Sequence, residues 1–539
     1  ALAGAWGRGE SRGPNILPGA WTLEVHSPSQ ATLEVITQNG IPTARVLVSR
    51  GGHWVFPKQV GFSLVPGEVY AAELEIRADL PAGVSRNADF TVMEDMSPWR
   101  WINGRSITIT SQWQKYRMVV RPTFAVNGTG RFMLNVQDFI GVPVYIRNCT
   151  LQTTTGAGLA AGESLEAGNI SLVPATEFAT EARTNDYLDF LVETDRAYLN
   201  RMLAAAREAT SKNMPVTGTQ MGFGGLVNFD SHRDLDYIDE HFYVDHYDFP
   251  HQAWDARDWR MRDSSSVGDG ASWYLNVAAS RLAGRPYTVS EFNQPWPNTH
   301  AAEIDPLTAA LGAFQDWDSI MHFAFAHSRN WDSGVPGGFN LVFDMTKLPV
   351  AGLSAWLFRT GAVDTGREPV VIPVSLSTRL AAAKTRQLWN VHGFLKETLG
   401  YEPEVAFVHP VRLLPSEAGE IPAAAKQKPG VPYLSDTGHL GYDPAGRVFT
   451  IAAPQVAGVI GFTGNRRTQA GPLSVELAPG ARGFTTVLAA SLDGKPIVES
   501  GRLLVALPGA SLRAYPGATP QRPQKLIHYP GTSDWWTLE

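Results

Sequence analysis

The hydrophobic period of this chain changes at about residue 184 and again at about 405, and these changes constrain its fold more than any motif does. From about 14 to 152 apolar and polar residues alternate, as in Thr22-Leu23-Glu24-Val25-His26, Ala44-Arg45-Val46-Leu47-Val48 and Tyr70-Ala71-Ala72-Glu73-Leu74-Glu75-Ile76-Arg77. Turn residues separate the runs, a pattern that predicts an antiparallel β-sandwich. The Thr-, Gly-, Ala- and Ser-rich stretch 153–183 reads as a linker. Leu188, Leu191, Val192, Leu199, Met202, Leu203 and Ala206 then fall on one helical face, with Thr184 or Asn185 as the cap. Strand candidates follow at 215–220, 240–246, 286–291 and 319–327. Between and after them, helices are expected at about 270–283, over Ile304, Leu307, Leu311 and Phe314, and at 377–399. Such alternation predicts βαβ units and a parallel sheet. From about 405 the chain reads β again, in Val448-Phe449-Thr450-Ile451, Leu473-Ser474-Val475-Glu476-Leu477 and Leu503-Leu504-Val505-Ala506-Leu507, with Asp493-Gly494 as a hairpin turn.

A length of 539 residues allows three or four domains, each with its own core. The formal charge of −7 argues against capture of nucleic acid or anionic membranes, which requires a basic field. The Gly-rich stretches lack phosphate-loop patterns. No run is long and apolar enough to suggest a membrane span. The one cysteine, Cys149, excludes an intrachain disulfide and reads as a buried small hydrophobe. The opening Ala1-Leu2-Ala3-Gly4-Ala5-Trp6-Gly7 has no basic segment of the signal-peptide kind. Sixteen Trp supply flat apolar rings suited to the CH-rich faces of sugars, although most Trp in any protein are core.

Glu291 is the leading catalytic candidate. The run Arg285-Pro286-Tyr287-Thr288-Val289-Ser290-Glu291-Phe292-Asn293 ends a β-prone segment on a carboxylate, where barrel enzymes keep their chemistry. Its bland alternative is a strand-end ion pair. His241 and Tyr243 lie two apart, on one face of a strand, with His246 beyond them; strand-borne His and Tyr are as often core groups. Gln220 ends the 215–220 candidate, and Asn293, Trp296 and Asn298 follow the carboxylate. Trp254, His322 and Trp331 complete the candidate substrate-binding set. His241, His246 and His251 lack the helix-borne HxxxH pattern of a zinc site, so no metal is assigned. In the first sandwich Trp54, Trp99 and Trp101 are candidates for a sugar-binding face, and Trp113 is expected in the core.

Two resemblances follow. The pattern of Trp54, Leu64-Val65-Pro66-Gly67-Glu68-Val69-Tyr70, Glu75-Ile76-Arg77-Ala78-Asp79 and Trp113-Gln114-Lys115-Tyr116 resembles jelly-roll carbohydrate-binding modules of the family 4/9 type. The run through Glu291 resembles the seventh strand of retaining glycoside hydrolases of the (β/α)8 clan typified by family 5, in which this Glu is the nucleophile. That resemblance implies a TIM-barrel C-terminal half, strands five to eight, within 184–400, preceded by a jelly-roll sandwich at 14–152 and followed by a β-sandwich at 401–539. In the clan the acid/base is a fourth-strand Glu preceded by Asn, and this sequence contains no Asn-Glu pair. Residues 1–13 resemble the end of the helical segment after a fourth strand, so the first half of the barrel is expected from a preceding segment or a second chain. The implied activity is hydrolysis of a β-glycosidic bond of a poly- or oligosaccharide with retention. It needs no cofactor, and the sandwich leaves room for a structural calcium. The substrate class implies a secreted or periplasmic protein. The rival is a non-catalytic carbohydrate-binding or scaffold protein with a residual barrel.

Overall fold

The computed structural model describes residues 6–7, 10–173, 179–249, 252–255, 258–327, 329, 338–385, 388–479, 483–509 and 527–530. They form two compact units, Ala1–Tyr187 and Leu188–Glu539.

The first unit is a sandwich of two five-stranded sheets whose pairings are all antiparallel. One sheet runs β1 (Thr22–Val25), β4 (Val55–Leu64), β9 (Val126–Asn135), β6 (Arg86–Glu94), β7 (Trp101–Ile109). The other runs β2 (Gln30–Gln38), β3 (Ile41–Arg50), β10 (Val144–Thr153), β5 (Tyr70–Ala78), β8 (Gln114–Val120). Alternation sends Phe90, Val92, Phe132 and Leu134 inward from the first sheet and Val46, Leu74 and Ile76 inward from the second. Each side chain buried in this way contributes roughly 1.5–3 kcal/mol. Trp113 does not join this core. It precedes β8 half-buried, with the guanidiniums of Arg147 and Arg77 over its ring at 3.9 and 5.5 Å. Cys149 lies partly buried against the core, and burial raises its thiol pKa. The stretch read as a linker is tied down: Thr154 N donates to Val69 O and Thr155 N to Ser11 O, while Arg183 donates to the carbonyls of Gly158 and Ser171.

Helix α1 (Glu181–Ala209) starts earlier than its apolar stripe suggests, because the Thr180 hydroxyl accepts from Arg183 N. Of that stripe, Leu199 and Leu203 are buried, against Leu235 and Val216, whereas Leu191 and Met202 are exposed. The centre of the second unit is a parallel sheet, β11 (Ile238–Tyr243), β13 (Tyr287–Asn293), β14 (Ser319–His322). A short strand, β12 (Asp258–Met261), intervenes in sequence and pairs with Ile527–Pro530. Segment 215–220 is not a strand: it meets the chain before β11 through the Asp236 N to Val216 O bond. Nor is 319–327 strand throughout, since β14 ends at His322. Helices Ser272–Ala278 and Ile304–Phe314 connect the strands, and the second is buried over its whole length. The expected helix at 377–399 is two helices, Leu376–Lys384 and Val391–Leu399.

β15 (Val370–Val374) and β16 (Val411–Pro415) pair in parallel. The C-terminal part is one six-stranded sheet and a hairpin rather than a sandwich of matched sheets. The sheet contains β17 (Tyr433–Leu434), β18 (Leu440–Asp443), β19 (Val448–Ala452), β20 (Val456–Gly461), β23 (Thr485–Ser491) and β24 (Leu503–Ala506), and the hairpin is β21 (Thr468–Ala470) with β22 (Leu473–Val475). Ile451, Ile460 and Leu488 join the main core, while the hairpin's Ala470 and Val475 cover Val459 and Val487. Burial on both faces explains the unbroken apolar run of β20. Asp493-Gly494 does not form a two-residue hairpin turn. Asp493 organises a longer connection, accepting from Gly501 N and Ser491 Oγ.

Candidate active site

The site is built on the C-terminal ends of two neighbouring parallel strands. β13 holds one residue more than either neighbour. Val289 pairs with Glu240 and Glu291 with His241, while on the other side Val289 pairs with Ile320 and Phe292 with His322. Ser290 is the extra residue, a β-bulge. In a regular strand Glu291 would share the face of Val289, which is fully buried. The bulge instead leaves Ser290 and Glu291 both half-buried beside β11, the re-aiming that bulges provide at functional sites.

Asp239, His241 and Tyr243 lie on one face of β11 at period two. The Tyr243 hydroxyl donates to Glu291 Oε2 at 2.7 Å, and His241 Nδ1 lies 3.3 Å from the same oxygen. Among the described residues no hydrogen bond reaches Oε1. Burial and then the bond to Glu291 push the Tyr243 hydroxyl well above its ordinary pKa, so it stays a neutral donor. His241 Nε2 lies 2.8 Å from Ser290 Oγ and 3.2 Å from Asp239 Oδ2. Asp239 also accepts from Ser290 N and Oγ and from Thr288 Oγ1. Burial alone would raise the Asp239 carboxyl, but the bonds from His241, Ser290 and Thr288 outweigh it and hold the group below its ordinary value. An ionised Asp239 thus fixes the imidazole ring that faces Glu291.

Glu291, Tyr243, His241 and Gln220 line a cavity of about 550 Å³, joined by Trp273, Asn276, Trp389, Asn390 and His392. Glu291 is the only carboxylate among the described lining residues. Other candidates lie elsewhere. Asn293, expected in the wall, is fully buried; it donates to the carbonyls of Phe323 and Phe339 and accepts from Lys347 Nζ. Trp296 is 5 % exposed and packs with Trp259 and Met261. Asn298 is buried and donates to Asp245 Oδ2 and Ser264 O. His322 does not line the cavity; its Nδ1 lies 2.9 Å from Asp305 Oδ1. His246 and Trp254 are exposed and meet edge to face at 5.9 Å. Trp331 and His251 lie outside the described residues. Among the described residues no group of three or more His, Cys, Asp or Glu is placed to hold a metal ion, and no helix is long and apolar enough to cross a membrane.

Sequence reasoning missed Asp239, although its period-two relation to His241 was visible. It also missed Trp389 and His392, which a continuous helix over 377–399 concealed.

The first unit displays Trp54, Trp99 and Trp101, each about half exposed. Trp54 packs with His53, His26 and Phe56. On the same sheet Lys58 Nζ bridges Glu24 and Asp95 at 2.7 and 2.8 Å, and Arg131 lies 4.8 Å over Phe56.

No family model and no curated protein matches the chain. Solved structures do. A family 4 carbohydrate-binding module is 15 % identical with a TM-score of 0.21, covering 25 % of this chain and 86 % of that one. The N-terminal cellulose-binding domain of Cellulomonas fimi β-1,4-glucanase C is 14 % identical with a TM-score of 0.19, covering 25 % and 90 %. A family 11 carbohydrate-binding module of a Clostridium thermocellum cellulosomal cellulase is 13 % identical with a TM-score of 0.20, covering 29 % and 99 %.

Proposed function

We propose that this protein acts on a β-linked poly- or oligosaccharide, with Glu291 as the nucleophile of a retaining glycoside hydrolase and the first unit as a carbohydrate-binding module. The observation that carries the proposal is the Tyr243 hydroxyl 2.7 Å from Glu291 Oε2, with His241 Nδ1 at 3.3 Å, on the ends of adjacent parallel strands. One carboxylate oxygen is held by donors while the other is left for attack. On this reading β11, β13 and β14 are strands six, seven and eight of a (β/α)8 barrel, and the extended segment 215–220 takes the place of the fifth. The exposed Trp54, Trp99 and Trp101 support the binding role of the first unit. Hydrolysis is redox-neutral and consumes only water, so no cofactor is required, and the substrate class suits a secreted or periplasmic protein.

Retaining hydrolysis uses two carboxyl groups about 5–5.5 Å apart. The general acid/base is therefore a group beyond the described cavity residues, from another segment or a second chain. A second reading, a carbohydrate-binding protein without catalysis, is favoured by Glu291 being the only carboxylate among those lining residues.

A 2,4-dinitrophenyl 2-deoxy-2-fluoro-β-glycoside separates the two. Its leaving group departs as dinitrophenolate with the bonding electron pair while Glu291 forms the new bond to the anomeric carbon, so no acid is needed. With gluco, galacto, manno and xylo versions, one should add the mass of its fluoroglycosyl group to the Glu291 peptide, and Glu291→Gln should abolish the addition. Labelling elsewhere, or none with all four, rejects the nucleophile and leaves the binding reading.

A further inference from the structure

Trp389 occupies the break between helices Leu376–Lys384 and Val391–Leu399. It is 57 % exposed and lines the Glu291 cavity. Phe223, 66 % exposed, stands edge-on to it at 6.2 Å. This close approach depends on a glycine: a Cβ at Gly222 would lie 2.3 Å from the Trp389 ring. An indole held by a local chain contact yet left open is unlike a core Trp. Two residues of the same cavity wall each carry an unpartnered polar atom. Gln220 Oε1 and His392 Nδ1 are buried and have no hydrogen-bond partner. Burial lowers the pKa of His392, against an opposing pull from Glu404, so the ring is a neutral donor and acceptor. Asn276 Oδ1 accepts from Val391 N and anchors the helix that carries His392.

We infer that Trp389, Gln220 and His392 form a second sugar subsite in the Glu291 cavity, so that the ligand is an oligosaccharide of at least two residues. One pyranose face stacks on the indole, and ring hydroxyls meet the Gln220 amide and the His392 ring along the same wall, the pairing of apolar wall and sparse polar groups typical of ligand pockets. The inference rests on the carbohydrate reading of this cavity but not on Glu291 being a nucleophile.

The test is 19F NMR of the full chain labelled with 5-fluorotryptophan, carrying Glu291→Gln to prevent turnover. Loss of one resonance in Trp389→Phe assigns that residue. Titration with β-1,4-linked gluco-, manno-, xylo- and galactotetraose should shift the Trp389 resonance saturably with at least one of them. In Gln220→Ala and His392→Ala the affinity read from that shift should fall about tenfold or more, as at a buried polar contact in an interface. A Trp389 signal that stays still with all four sugars, or a shift of unchanged affinity in both alanine variants, overturns the subsite. A shift without covalent labelling of wild-type Glu291 rejects the nucleophile alone, and labelling without a shift rejects the subsite alone.

Discussion

Lys347 Nζ donates to Asn293 Oδ1 at 2.7 Å with both side chains fully buried, which locks the end of the strand that carries Glu291. The same ammonium donates to Gln294 O at 3.0 Å and lies 3.2 Å from Asp344 Oδ2. Lys347→Met leaves the Asp344 carboxylate buried without its cation. The expected cost is about 3–5 kcal/mol of unfolding free energy, measured by urea denaturation. Lys347→Met with Asp344→Asn should recover part of the loss. Equal stability of the single variant and wild type would show that the pair contributes nothing to the strand end.

Tyr243→Phe removes the shorter of the two contacts to Glu291 Oε2 and keeps the ring. Covalent labelling by the fluoroglycoside should slow by about 10²-fold, the scale of a single lost donor at a reacting group. Circular dichroism and the thermal midpoint should change little. A labelling rate within twofold of wild type would mean that Tyr243 does not act through Glu291.

Asp239→Asn tests the support of the imidazole. It replaces an ionised acceptor of bonds from Ser290, Thr288 and His241 by a group that must also donate. His241 then loses the charge that fixes its ring, and labelling of Glu291 should slow while Glu291 itself is untouched. Stability should fall by about 1–3 kcal/mol at neutral pH. Because the folded Asp239 pKa lies below its ordinary value, its contribution is present above that value and is lost as pH falls. The deficit of Asp239→Asn relative to wild type should therefore shrink in acid.

Two buried carboxyls give the opposite slope. Burial pushes Glu240 to about 8 and Glu303 to about 7, against opposing hydrogen bonds, from an ordinary 4.5. Between the unfolded and folded values the native state binds more protons than the unfolded chain. Their stabilisation is complete below about 4.5 and is lost as pH rises through about 7 and 8. The thermal midpoint should decline across that window, and Glu240→Gln should flatten its upper part. A midpoint that rises from pH 5 to pH 8 in the wild type would contradict this assignment.

The first unit is tested separately. Trp54→Ala and Trp101→Ala each remove a half-exposed indole. Each should weaken retardation on β-glucan, xylan or mannan affinity gels by about tenfold if it stacks on sugar. Wild-type mobility unchanged on all three gels would remove the binding role from this unit.

The sequence by itself determined which stretches are all β and where strands alternate with helices, because hydrophobic period follows directly from backbone geometry. Alternation over Tyr70–Ala78 or Arg86–Glu94 admits little but strand, and both are strands of the first sandwich. The apolar spacing of Ile304, Leu307, Leu311 and Phe314 likewise gave a buried helix. The pairing of His241 with Tyr243 was readable because residues two apart share a strand face. Tertiary structure decided the rest. The extra residue at Ser290, which turns Glu291 away from the face of Val289, is a matter of register between strands far apart in sequence. Asn293 and Trp296 were plausible wall residues until Lys347 and Trp259 claimed them through packing. Trp389 became a cavity residue only when the helix around it broke beside Gly222. Local pattern specifies which residues alternate; which of them meet a ligand depends on contacts that only the folded chain brings together.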